Sequence, residues 1–331
     1  MPTYHEVIEE LIKEEILPFR GNFYDFVDFP LETEFSRFFD YCQEYLERKD
    51  LGVDISPARF YYNDEYSMNG CARVVNDYYL VEIWRGAIFR LHEFYVAKDE
   101  RFNDQVFTSY RALTQRAEID PGYFLFQMGT LFFLYHETGH LIQRSGTNTD
   151  HLEFMAQECV GNQVRIQHMR EMDADWFACH RLSLHVKKFA ETETPDGTIV
   201  DTDALAGGAA LALAALYMFF IDRSDHQPGI YYEEKCHPHP LARLSYCVIY
   251  LLNNLQGNVD DPLNQEAILG NAIRISDHLM KEPPANIVEQ YSLVLGANLA
   301  PIQAYIQQII ANTLTYPHLC VHLLSNMATN S

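Results

Sequence analysis

Along the first fifty residues, apolar side chains recur every three or four places. This predicts amphipathic helices from about Tyr4 to Leu17 and from about Leu31 to Arg48. Between Ala58 and Ile83 the pattern changes. Runs rich in Tyr, Phe and Val (ARFYY, CARVV, YYLVEI) are separated by Asn-Gly and Asn-Asp pairs. Such runs, bounded by turn dipeptides, predict two or three short antiparallel strands. Helical spacing returns from about Gly86 to Lys98, and Pro121 opens a long apolar helix, PGYFLFQMGTLFFLYHETGHLIQ. Proline suits that opening, since its missing N–H would be unpaired there anyway. After the breaker cluster SGTNTD a further helix runs from about His151 to Lys188, and the acidic ETETPDGTIVDTD reads as an exposed loop. Helices split by Pro283-Pro284 and Pro301 fill the region after Asp260. The fold class that follows is α+β, predominantly helical, with a small antiparallel sheet.

Residues Ala204 to Ile221 are continuously apolar, about the minimum length of a membrane span. They are rich in Ala and Gly and flanked by Asp201, Asp203 and Asp222 rather than by Lys or Arg, so a buried central helix is expected and a membrane anchor is not. The chain has 331 residues, 48% hydrophobic and 13% aromatic, enough to bury a large core. Its net charge of -22 argues against nucleic acid or an anionic membrane as the partner. Seven widely spread cysteines without a CxxC pair fit free thiols in a reducing compartment, and the charged N-terminus lacks a signal peptide's apolar core. The expected location is cytoplasmic.

The candidate chemistry starts inside the long helix, at Tyr135-His-Glu-Thr-Gly-His140. Helix positions four apart share a face, so His136 and His140 can direct both imidazoles at one ion, with zinc the expected metal. Glu137 sits one residue round, where it can take a proton from a zinc-bound water. The preceding LFFLY implies a mostly buried helix, in which two His and a Glu need partners or a metal. The alternative is a helix with hydrogen-bonded core histidines. Gly139 costs a helix about 1 kcal/mol relative to Ala, a cost that close backbone approach near the ion would explain.

A catalytic zinc takes a third protein ligand and keeps one position open. One zinc-peptidase spacing puts a His six residues past the second motif His, but that residue here is Gly146. The other takes a Glu from a second helix, with Glu158 and Glu171 as candidates. Glu171 begins EMDAD, with Asp175 one turn on, where a carboxylate can fix the tautomer of a ligand His; Glu158 has Asn162 at that offset. Glu171 is therefore the expected ligand. The alternative for Glu171 and Asp173 is a solvated helix face, but the Ala-Asp-Trp-Phe-Ala that follows makes the stretch look half buried.

In Cys236-His-Pro-His-Pro-Leu-Ala-Arg243, two prolines force an extended entry to a helix N-terminus. His237 or His239 can steady the oxyanion of a tetrahedral intermediate, and Arg243 can anchor a carboxylate in or near the site. A plain turn with a surface arginine is the alternative.

HETGH, EMDAD and HPHPLAR, in that order, resemble the gluzincin peptidases of the CAAX prenyl protease and HtpX heat-shock protease type. Their pattern is HExxH, ExxAD, and HP with an Arg six residues after the His, an offset that His237 and Arg243 keep. The resemblance implies a zincin-like core, Glu171 as third zinc ligand, Asp175 behind a ligand His, and His237 as the oxyanion or substrate group. It further implies a substrate-binding edge beginning at Asn69. It covers about Asp54 to Leu252 and lacks the several spans of the membrane members. The chain is also similar to the soluble phage-exclusion protease Lit. On this basis 1–53 is an N-terminal helical region, 54–252 the metallopeptidase core and 253–331 a C-terminal helical subdomain. The implied activity is an intracellular zinc endopeptidase with a protein or peptide substrate, a role in phage defence and, if regulated, an activating partner. A non-cleaving metal-binding regulatory module on the same fold is the alternative, against which an intact Glu137 argues.

Overall fold

The computed structural model describes residues 1–17, 23–48, 51–97, 99–116, 118–145, 162–194, 197–222, 229–257, 259, 261–280, 287–313 and 319–321. Helix α1 (Tyr4–Lys13) opens on a capping box: the Thr3 hydroxyl accepts from the Glu6 N–H, and the Glu6 carboxylate accepts from the Thr3 N–H at 2.7 Å. Helix α2 (Glu32–Leu46) buries Phe35, Phe38, Phe39, Cys42 and Gln43. Both helices pack against strand β1 (Ala58–Asn63).

Strands β2 (Gly70–Val75) and β3 (Tyr78–Trp84) form an antiparallel hairpin through Asn76 and Asp77. Both turn residues have positive φ, 48° and 66°, as the Asn-Asp pair announces. The expected all-antiparallel sheet is corrected in one respect. The strand order is β1-β3-β2, and β1 runs parallel to β3. β1's other edge is sealed. Buried Gln43 accepts from the Phe60 N–H and donates to the Ala58 carbonyl, and the Tyr24 N–H donates to the Tyr62 carbonyl at 2.8 Å. With that edge closed, the hairpin can join β1 only on the opposite side. There the connection 64–69 carries the chain past β3's place, and β2 becomes an edge that no other described strand pairs.

Helices α3 (Arg85–Tyr95) and α4 (Thr108–Arg116) lead to α5 (Pro121–Ser145), which α6 (Asn162–Ala190) crosses. The segment expected as an exposed loop is a second hairpin, β4 (Glu191–Thr194) with β5 (Gly197–Val200). Its Thr, Ile and Val residues favour a pleated strand on either side of the turn. Helices α7 (Thr202–Asp222), α8 (Pro240–Gln256), α9 (Gln265–Leu279), α10 (Ile287–Ala297) and α11 (Leu299–Thr313) follow. Pro301 stands in the first turn of α11, where it is tolerated.

The apolar run on α7 is long enough to cross a membrane, but 89% of it is buried within the fold, against α5, α6, α8 and α9. One continuous core extends from Tyr4 through the sheet, α5 and α7 to α9 and Tyr291, so the regions outside 54–252 share it. A smaller cluster joins α11 to α6 and α8. Cys42, Cys71, Cys179, Cys247 and Cys320 are free thiols. The free-thiol expectation fails at Cys236, which is disulfide-bonded to a partner outside the described residues.

Candidate metal centre

Helices α5 and α6 meet almost backbone to backbone. A Cβ on Gly139 would lie 3.0 Å from the Ala174 Cα. This close approach sets His136 and His140 opposite Glu171, three residues before Ala174. His136 Nε2 and His140 Nε2 are 3.2 Å apart, His136 Nε2 and Glu171 Oε2 are 3.6 Å apart, and His140 Nε2 and Glu171 Oε1 are 3.4 Å apart. All three residues can offer a ligand atom to one metal ion. Glu158 lies outside the described residues, as does Gly146.

The outer nitrogens fix the tautomers. His136 Nδ1 lies 3.0 Å from Asp175 Oδ1, an acceptor, so Nδ1 carries the proton and Nε2 keeps its lone pair. For His140 the partner is Gln143. Its amide NH2 donates to Asp173 Oδ2 at 2.8 Å and to the Arg170 carbonyl at 2.9 Å, which turns its oxygen towards His140 Nδ1 at 3.1 Å. His140 therefore also carries its proton on Nδ1. Two Nε2 lone pairs and a carboxylate then converge, an arrangement that needs a cation or a shared proton between them.

The surrounding charges bear this out. Burial opposes ionisation of Glu171, but Arg243, His140 and His237 outweigh it and hold its carboxyl well below the usual range. Burial likewise works against the Asp175 anion, and Arg243 and His136 overcome it. Burial lowers the His140 pKa, but Glu171 and Glu137 reverse that effect and leave it raised.

Arg243 reaches this cluster from the first turn of α8. Its guanidinium forks onto Asp175 (Nε to Oδ2 at 2.8 Å, NH2 to Oδ1 at 2.7 Å) and touches Glu171 Oε2 at 3.1 Å through NH1. It stacks over Phe220 and is 4% exposed. The carboxylates it anchors are thus the protein's own, and a substrate group would have to displace them.

The two histidines of the HPHP loop have different surroundings. His239 is buried, and its Nδ1 accepts the Leu241 N–H at 3.1 Å as the N-cap of α8. Its ring is committed to that cap. His237 is 61% exposed and points its Nε2 to within 3.7 Å of Glu171 Oε1, on the open side of the cluster. A cavity of about 110 Å³ adjoins it, lined by Phe220, Tyr231, His237, Pro238, Pro240 and Arg243.

Glu137 lies on the sheet side. A Cβ on Gly70, the first residue of edge strand β2, would come within 3.1 Å of Glu137 Oε1. A side chain at this position would crowd the carboxylate and force it to shift. Asn69, just before it, extends the ladder by accepting the Trp84 N–H at 3.0 Å.

Gln143, Asp173 and Gly70 were not singled out in the sequence as site residues. Gln143 had a readable signal, one helical turn after His140. Asp173, in a stretch that looks half buried from its sequence, is 1% exposed. Its burial comes from residues 319–321, for which no local pattern gives warning.

Compared with protein-family models, curated proteins and solved structures, the chain matches none.

Proposed function

We propose that this chain is a zinc-dependent endopeptidase with a gluzincin-like site. The observation that carries the reading is the position of Glu137. It stands one residue from a metal ligand and against the first residue of β2, an edge strand that no other described strand pairs. The donor set fits zinc. Two imidazole nitrogens and one carboxylate are ligands that zinc accepts, and one ligand atom from each residue lies within 4.8 Å of the others. His136, His140 and Glu171 would hold the ion, which when bound supplies a Lewis acid and lowers the pKa of water.

The chain's own groups account for the rest. A substrate adds to the open edge of β2 as an extended strand, which brings its carbonyl past Glu137. The Glu137 carboxylate takes a proton from water and returns it to the departing amine. His237, on the open rim, donates to the oxyanion. Asp175 and Gln143 hold both imidazoles in the tautomer that leaves Nε2 free. A protein or peptide substrate and a cytoplasmic location belong to the same proposal. A non-cleaving module would bind metal equally well but would leave Glu137 without a task.

The test is metal content by mass spectrometry together with cleavage of a peptide library. About one zinc per chain in the wild type, lost in His136→Ala and Glu171→Ala, supports the site. Glu137→Gln should keep the zinc and lose cleavage. A metal-replete Gln variant that still cuts would remove Glu137 from its role, and a wild type that binds no zinc would end the enzyme reading.

A further inference from the structure

Asp173 is a buried carboxylate two residues from Glu171, and it points away from the metal cluster. The Cys320 N–H donates to its Oδ2 at 2.8 Å, and the Val321 N–H donates to its Oδ1 at 3.0 Å. The Cys320 thiol donates to the Gly139 carbonyl at 3.4 Å. A segment 147 residues away in sequence from Asp173 thus lies in the crossing of α5 and α6. Asp173 Oδ2 also accepts from Gln143, whose oxygen faces His140 Nδ1.

We infer that residues 319–321 complete the metal centre, acting through Asp173 and Gln143 as a positioning relay for His140. Each link is constrained by its donors and acceptors. Two backbone N–H groups hold the Asp173 carboxylate in one orientation. That carboxylate, an acceptor only, takes one Gln143 amide hydrogen, and the Arg170 carbonyl takes the other. The Gln143 amide cannot flip without setting its oxygen against two acceptors. Its oxygen therefore stays towards His140 and keeps the proton on Nδ1. His136 has one direct acceptor for this purpose, Asp175; His140 has a chain of three links that ends at Cys320 and Val321. The metal site consequently depends on where residues 319–321 lie, although none of them is a ligand.

The inference rests on His136, His140 and Glu171 being the metal site, and the experiment separates the two. Zinc affinity of the full-length protein is measured by competition with a chelator, beside His136→Ala. The variants are Gln143→Leu, Asp173→Asn and Val321→Pro. The last removes the Val321 N–H that donates to Oδ1. In the metal-free protein, ¹⁵N NMR of His140 reads the tautomer directly. The expected result is a loss of affinity of roughly 10–100-fold in all three variants, with His140 Nδ1 fully protonated in the wild type and only partly protonated in the variants. Folding is followed by circular dichroism, and Glu10→Gln, which loosens the distant Arg59 contact, serves as a stability control with unchanged affinity. Zinc binding that is tight in the wild type, lost in His136→Ala and unchanged in folded Gln143→Leu overturns the relay and leaves the metal site standing. Loss in Gln143→Leu but not in Val321→Pro or Asp173→Asn overturns the part assigned to residues 319–321. If the wild type itself binds no zinc, the metal site fails and the relay with it.

Discussion

Gly139 on α5 faces Ala174 on α6 with no room for one more carbon, since a Cβ there would meet the Ala174 Cα at 3.0 Å and its Cβ at 3.2 Å. Gly139→Ala should gain about 1 kcal/mol of helix propensity and lose about 1–3 kcal/mol to overpacking. Thermal unfolding should therefore change little, while the two ligand helices are forced apart. The expected outcome is a stable protein with weakened zinc binding. Unchanged zinc affinity would mean that the crossing gives way without moving the ligands.

Arg243 neutralises two buried carboxylates at once. Arg243→Leu leaves Asp175 and Glu171 side by side without their cation, which should cost about 3–5 kcal/mol in the metal-free protein. Lysine cannot reproduce the two-pronged contact with Asp175, so Arg243→Lys should recover only part of the loss. Zinc should stabilise Arg243→Leu more than the wild type, because the ion restores positive charge. Urea unfolding with and without zinc measures both effects.

His239 ties the stability of the HPHP loop to pH. Burial lowers its pKa from 6.5 to about 4, and its Nδ1 lone pair caps α8. The folded state thus prefers the neutral ring. The contribution is fully present above about pH 6.5 and is lost as the pH falls towards 4. His239→Asn keeps an acceptor at the cap and cannot titrate. Between pH 7 and pH 4 the wild type should lose about 1–3 kcal/mol more than this variant. Parallel slopes in denaturant titrations at several pH values would contradict the assignment.

Gln43 seals the outer edge of β1. Gln43→Leu leaves the Phe60 N–H and the Ala58 carbonyl without that partner. The cost should be about 1–3 kcal/mol, and amide hydrogen exchange at Phe60 should accelerate while exchange in α5 does not. Equal acceleration in both would make the substitution a global destabilisation instead.

Much of this arrangement is legible in the chain itself. Spacing within a helix is a local property, so His136 and His140 on one face, Glu137 beside them, and Asp175 one turn after Glu171 follow from the backbone's 3.6-residue period. The apolar content and acidic flanks of α7 point to a core helix, and Asn76-Asp77 marks the turn of the β2–β3 hairpin. Long-range pairing is not encoded in such local terms. The side of β1 on which the β2–β3 hairpin joins depends on Gln43 and Tyr24 closing the other edge. The burial of Asp173 depends on two N–H groups from Cys320 and Val321. The commitment of Arg243 to Asp175 and Glu171 depends on how α8 crosses α6. In each case a polar group is satisfied by a partner far away in sequence, and burial makes that partner obligatory. The sequence alone therefore determined which residues could serve as ligands and base, whereas tertiary packing decided which partners hold them in place.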